Sequence, residues 1–154
     1  MANYNSFPSF IIMADDDIGD RYLFKDAIQQ INKNISLKLL EGGNELMNYL
    51  LNPRNILPDL IFLDINMPYK NGMMCLEEIR SHDRLKNLNV IIYSASSKLE
   101  NIELSLNKGA NLYFAKSSTF QDLINRLNRI LKMNWDDFNP DSLEKFVLSD
   151  EAGL

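Results

Sequence analysis

A single cysteine, Cys75, stands in the chain, so no disulfide can form within it. A reducing compartment, the cytoplasm, is the expected location. No apolar run approaches the ~20 residues that span a bilayer. Met1 to Phe10 lacks the basic segment and long apolar stretch of a secretory signal, so no membrane association is expected. Basic residues are the minority: 16 Lys and Arg stand against 21 Asp and Glu, for a formal charge of −5. Nucleic-acid-binding domains carry a basic stripe to meet phosphates, so this balance argues against a nucleic-acid partner. Neither a P-loop nor a glycine-rich dinucleotide turn is present, which speaks against a nucleotide-binding protein. Internal repeats and low-complexity segments are also lacking. The one histidine, His82, sits among Ser81, Asp83 and Arg84 and reads as an exposed helix end, not a catalytic base.

The chain's 154 residues, 45% of them hydrophobic, suit one domain with a real core. Short apolar runs alternate with longer amphipathic ones. Phe10 to Ala14, Leu60 to Leu63 and Val90 to Tyr93 are apolar without a break, as in strands covered on both faces of a parallel sheet. Ile35 to Leu40 is interrupted by Ser36 and Lys38 at alternate positions, the pattern of a half-exposed edge strand. Asn111 to Ala115 is a shorter last strand.

Helical patterns lie between. Phe24, Ala27, Ile28 and Ile31 share a face after Asp20, as do Leu46, Tyr49 and Leu50 before Pro53. Leu76 and Ile79 follow Gly72, and Leu99, Ile102 and Leu106 precede Gly109, a C-terminal cap. Phe120, Leu123, Ile124, Leu127, Ile130 and Leu131 make the clearest stripe, with Ser118 or Thr119 placed to cap it. Strand and helix thus alternate, which predicts an α/β layer with a parallel sheet and helices on both faces. From Met133 onward the pattern stops, leaving an acidic tail with a short helix after Pro140.

In open parallel sheets ligands bind at the C-terminal strand ends. After the first run come Asp15, Asp16 and Asp17; after the third comes Asp64; after the fourth, Ser94; after the fifth, Lys116. Several carboxylates in one pocket repel each other unless a hard divalent cation relieves them, and oxygen ligands with open water positions suit Mg2+. A carboxylate beside such a cation can attack phosphorus, with a lysine and a hydroxyl holding the phosphoryl oxygens.

Asp15-Asp16 after the first strand, Asp64 ending the third, the loop Met67-Pro68-Tyr69-Lys70-Asn71-Gly72, Ser94-Ala95 and Lys116 together resemble the receiver domain of bacterial response regulators. The resemblance covers residues 8–132, with 133–154 as the tail. The loop is also similar to that of small regulators without an output domain, including partners of bacterial phytochromes. The resemblance implies a doubly wound, flavodoxin-like, five-stranded parallel sheet in the order 2-1-3-4-5 with five helices. It implies that Asp64 is the phosphoacceptor and that Asp15, Asp16, Asp64 and the backbone carbonyl of Asn66 hold Mg2+. Ser94 and Lys116 would bind the phosphoryl group, and Tyr113 would change rotamer as Ser94 moves inward. A histidine kinase or phosphotransfer protein would donate, a downstream protein would respond, and a homodimer is one arrangement it allows. Too few residues remain after Lys132 for a DNA-binding module, so a stand-alone regulator is expected.

The sequence departs from the family pattern at three places. Ser94 stands where threonine is commoner, Asp17 adds a third acid to the cluster, and Ser117 replaces the proline after the lysine. Without that proline a cis bond costs ~2.5–4 kcal/mol, so a trans Lys116–Ser117 bond is expected, with the ammonium still approaching Asp64. Leu104 lies off the stripe of its helix and is expected to be exposed, as a partner contact. Two other readings stand beside this one. A phosphatase of the haloacid dehalogenase type also uses an aspartyl nucleophile and Mg2+, but places a second aspartate where this chain has Asn66. A degenerate receiver would bind partners without phosphorylation. Blander readings hold for other residues: the acids could cap the first helix, Cys75 a buried thiol, Met73 and Met74 packing. Trp135 and Phe138 could fold back on the domain or dock elsewhere.

Overall fold

Strands that are apolar on both faces need cover on both, and this requirement organises the computed structural model, which describes residues 7–148. In chain order the elements are β1 (Phe10–Ala14), α1 (Ile18–Ile31), β2 (Ser36–Leu40), α2 (Gly43–Leu51), β3 (Leu60–Leu63), α3 (Gly72–Ser81), β4 (Asn89–Ser94), α4 (Leu99–Asn107), β5 (Leu112–Ala115), α5 (Phe120–Leu131) and α6 (Leu143–Phe146). The strands are parallel in the order β2-β1-β3-β4-β5, as expected. The interrupted strand β2 is indeed an edge. Alternate side chains feed two cores. Ile12, Ile61, Leu63 and Ile92 meet α2 and α3 through Leu46, Leu50, Leu76 and Ile79. Ile11, Phe62, Ile91 and Phe114 meet α1 and α5 through Phe24, Ile28, Leu127 and Ile130. Among the described residues no helix is long and apolar enough to cross a membrane.

Local chemistry sets where the helices begin. The Asp17 carboxylate accepts from the Asp20 N–H at 2.9 Å, Asn71 accepts from Met74 at 3.0 Å, and Thr119 accepts from Asp122 at 3.1 Å. Thr119, not Ser118, is therefore the cap of α5. Gly109, at φ +96°, follows α4 in the left-handed region, as a C-terminal glycine should.

Two expectations need correction. The stripe Leu99, Ile102 and Leu106 is a core face only in part: Ile102 and Leu106 pack partly buried against the core, but Leu99 is 59% exposed, and the fully buried residue of α4 is Ser105. Ser105 is small enough to bring α4 close to Met73, and its hydroxyl donates to the Asn101 carbonyl at 2.7 Å. Leu104 is exposed, as expected. Met73 packs in the core but Met74, one residue on, faces outward. The short helix expected after Pro140 is present as α6 and brings the helices to six. Of the two outcomes open to Trp135 and Phe138, folding back on the domain is the one observed. The Trp135 indole donates to the Ile130 carbonyl at 3.1 Å, Trp135 and Phe138 pack on the α1–α5 core, and Phe146 is wholly buried.

Gly72 is required by a close approach. A Cβ there would lie 2.2 Å from the Asp64 carbonyl oxygen, a backbone atom that cannot swing aside. Gly72→Ala should therefore displace the β3–α3 connection and cost ~2–3 kcal/mol in urea denaturation. A loss under ~0.5 kcal/mol would mean that the loop yields freely.

Candidate functional site

β1 ends at Ala14, where three acids follow, and the register of the sheet then sets where they lie. The Asp15 N–H donates to Leu40 and the Asp64 N–H to Ala14, both at 3.0 Å, so the chain leaves β1 and β3 side by side. Asp15 is fully buried, Asp64 is 5% exposed, and Asp16 is open to solvent. Each of the three can present a carboxylate oxygen within 4.8 Å of the others. Asp17 is used elsewhere: its carboxylate caps α1, so the bland reading of the acidic cluster holds for this residue alone.

β4 and β5 bring the other groups to the same edge. Ser94 is the last residue of β4 and fully buried; its carbonyl accepts from the Lys116 N–H at 2.8 Å. Among the described residues no peptide bond is cis, the Lys116–Ser117 bond included. The Lys116 ammonium nonetheless reaches the site, 2.8 Å from Asp15, 2.7 Å from Asp20 and 3.9 Å from Asp64. Asp20 was missed by the sequence reading. The apolar pattern marks it only as a helix start, although its place one turn after Asp16 is a usable signal. Tyr113 is fully buried and donates its hydroxyl to the Ser96 carbonyl at 2.7 Å. Asn66 itself is exposed, and a hydrogen bond from its backbone falls on the Asp64 carboxylate. In the same loop Tyr69 takes a left-handed φ of 67° with its ring almost wholly in solvent.

Electrostatics follow from this geometry. Burial, helped by the neighbouring charge of Asp15 and opposed by Lys116, pushes the Asp64 carboxyl up from 3.8 to about 7. Asp15 is also raised, chiefly by burial, with Lys116 drawing it back. Burial alone would lower Lys116, but its contacts with Asp15 and Asp20 and the charge of Asp64 outweigh that and raise it. Cys75 is buried on α3, and desolvation pushes its thiol up to about 11, so it is no nucleophile at neutral pH. His82 caps the C-terminal end of α3 in solvent.

The acids fit a hard divalent cation. Asp15 Oδ2 is buried without an aligned hydrogen bond, although the Lys116 ammonium stands beside it. A buried carboxylate oxygen met by Lys116 alone, within reach of two further carboxylates, is what an oxygen-liganded metal satisfies.

Similarities to known proteins agree with this arrangement. Residues 11–128 match the model of the response regulator receiver domain. The response regulator Rcp1 of Synechocystis sp. (strain ATCC 27184 / PCC 6803 / Kazusa) is 27% identical over 137 residues, which cover 84% of this chain and 91% of Rcp1. The transcriptional regulatory protein MalR of Bacillus subtilis (strain 168) is 33% identical over 111 residues, 72% of this chain but 45% of MalR. Among solved structures, the Mn2+-bound form of Rcp1 superposes with a TM-score of 0.75 at 25% identity, covering 86% of this chain and 98% of that one. The phosphorylated cyanobacterial phytochrome response regulator RcpA gives 0.72 at 30% identity, over 79% and 90%.

Proposed function

As this chain belongs to the response-regulator receiver-domain family, we propose that Asp64 accepts a phosphoryl group from a phosphohistidine donor, with Mg2+ held beside it. The observation that carries the reading is a nearly buried carboxylate at the end of β3, grouped with the oxygens of Asp15 and Asp16 and faced by the Lys116 ammonium. Asp15, Asp16, Asp64 and the Asn66 backbone carbonyl would hold the metal. When bound, the metal supplies charge neutralisation among the carboxylates and at the phosphoryl oxygens.

A carboxylate oxygen of Asp64 attacks the phosphorus of the donor. The new P–O bond forms as the P–N bond breaks, and the imidazole leaves with the electron pair. Lys116 exchanges its contacts with Asp15 and Asp20 for the phosphoryl oxygens, and the Ser94 hydroxyl donates to another of them. The domain thereby relays a signal and is not a catalyst of turnover, although slow self-dephosphorylation by water belongs to the same chemistry. We assign residues 8–132 to the receiver unit and 133–154 to an appended segment. A histidine kinase or phosphotransfer protein is the donor, and a downstream protein or a second copy is the receiver of the signal, with exposed Leu104 on α4 as one contact. The lone, buried, unpaired Cys75 suits a cytoplasmic setting.

The assignment of the metal acids is tested by two neighbours. Asp16→Ala should weaken Mg2+ binding more than ~10-fold, as removal of a ligand does. Asp17→Ala should leave Mg2+ affinity unchanged and lower stability by ~1 kcal/mol through the lost cap of α1. Titration of the two variants with Mg2+, alongside urea melts, separates the roles; the reverse ranking would shift the acidic register by one residue.

A further inference from the structure

Phe146 is completely buried although it belongs to a helix of only four residues beyond α5. So short a helix has no stability of its own, so tertiary contacts hold it. Those contacts come from α4 and from one residue of β5. The Phe146 ring lies 6.3 Å from that of Tyr113, centroid to centroid. Val147 forms a parallel bridge with Tyr113, and the Leu148 N–H donates to the Tyr113 carbonyl at 3.0 Å. β5 is an edge strand of the sheet, so Val147 and Leu148 stand where a further strand would add.

Tyr113 also faces the proposed phosphoryl site. Its hydroxyl donates to the Ser96 carbonyl, and the Ser96 N–H donates to the Ser94 Oγ at 3.2 Å. Ser94, Ser96, Tyr113 and Phe146 thus form an unbroken series of contacts from the end of β4 to α6. We propose that residues 142–148 are an intramolecular latch on the α4–β5 surface, released when a phosphoryl group draws Ser94 toward Asp64. This rests on the reading of Asp64 and Ser94 given above.

When the Ser94 hydroxyl turns to a phosphoryl oxygen, the loop carrying Ser96 moves with it. The Tyr113 hydroxyl, fully buried, then loses its acceptor and must find another by moving the ring. Phe146 is seated on that ring and cannot keep its contact without leaving a void. The latch is held by one parallel bridge, to which the Leu148 hydrogen bond belongs, by the Phe146–Tyr113 ring contact, and by Val147 and Leu148 packed at the two cores, so the phosphoryl group must favour the open state by enough to offset that burial. Release exposes the main-chain edge of β5 and an apolar seat beside α4. That surface fits a partner segment carrying an aromatic side chain followed by extended residues, bound by strand addition. In the unmodified protein the chain's own Phe146-Val147-Leu148 fills this place.

The test is amide hydrogen exchange on the full chain, with and without Mg2+ and beryllium fluoride as the phosphoryl stand-in, while fluorine NMR reports fluoride binding independently. Exchange at Phe146 to Leu148 should accelerate ~10-fold, within the usual range of coupling between two sites. If beryllium fluoride does not bind, the Asp64 reading falls and the coupling with it. If it binds and exchange at these amides is unchanged or slower, the latch alone is overturned. Phe146→Ala, and Leu148→Pro, which removes the N–H donor to Tyr113 together with the Leu148 side chain, should both open the segment without fluoride. By reciprocity both should bind beryllium fluoride ~5-fold tighter or more; affinity equal to that of the unchanged chain would refute the proposal. Tyr113→Phe keeps the ring but not the hydroxyl, so it should bind fluoride without accelerating exchange. Full acceleration in that variant would refute the route through Tyr113.

Discussion

Asp64→Asn is expected to take up no phosphoryl group from acetyl phosphate and Mg2+, where the unchanged chain should gain one. Intact mass measures this directly. The amide has no anionic oxygen to attack phosphorus, and the neighbouring acids cannot replace it. Asp15 is wholly buried with Lys116 across it, and Asp16 is exposed, with no basic side chain paired to it among the described residues. Chelation of Mg2+ should prevent labelling of the unchanged chain, since Asp15, Asp16 and Asp64 would again repel each other and the incoming phosphoryl group. Labelling that persists in Asp64→Asn would move the acceptor elsewhere. Turnover of a generic phosphate ester would revive the haloacid dehalogenase reading, against which Asn66 and the placement of the nucleophile on β3 already weigh.

The same substitution should make the metal-free protein more stable. Burial and the charge of Asp15 hold the Asp64 carboxyl at about 7, against 3.8 when exposed. An acid raised by folding keeps its proton while the unfolded chain has lost it, so stability falls as pH rises between those two values. Each pH unit of that interval is worth ~1.4 kcal/mol, which bounds the cost at ~4 kcal/mol; the gain expected after relaxation is ~2 kcal/mol. Asp64→Asn removes this cost. Its advantage in urea melts with a chelator present should be nil near pH 4, grow above it, and level off above pH 7. Mg2+ should then stabilise the unchanged chain much more than the variant, because a cation that binds only the folded state adds stability by mass action. A variant less stable at pH 8 without metal would show that Asp64 is ionised there at no cost, held by Lys116.

The position of the site could be read without a structure because parallel strands all point one way. Whatever follows an apolar run leaves the sheet at the same edge, so Asp15, Asp16, Asp64, Ser94 and Lys116 had to come close once the runs were recognised as strands. The division between the three consecutive acids was less accessible. Adjacent residues at a strand end point in different directions, and only the start of α1 at Ile18 turns Asp17 into its cap and leaves Asp15 and Asp16 to Asp64.

Apolar periodicity and punctuation therefore determined the alternation of strand and helix, the parallel sheet and the shared edge of the chemistry, because those follow from local covering of each run. Only the tertiary structure decided that Lys116 rests on Asp20, a residue 96 positions away, since no local pattern links them. It also decided that Ser105 is the residue of α4 buried most deeply while Leu99 is left in solvent, and that Phe146 closes over Tyr113. Those outcomes depend on which surface arrives opposite, and a segment's own residues do not carry that information.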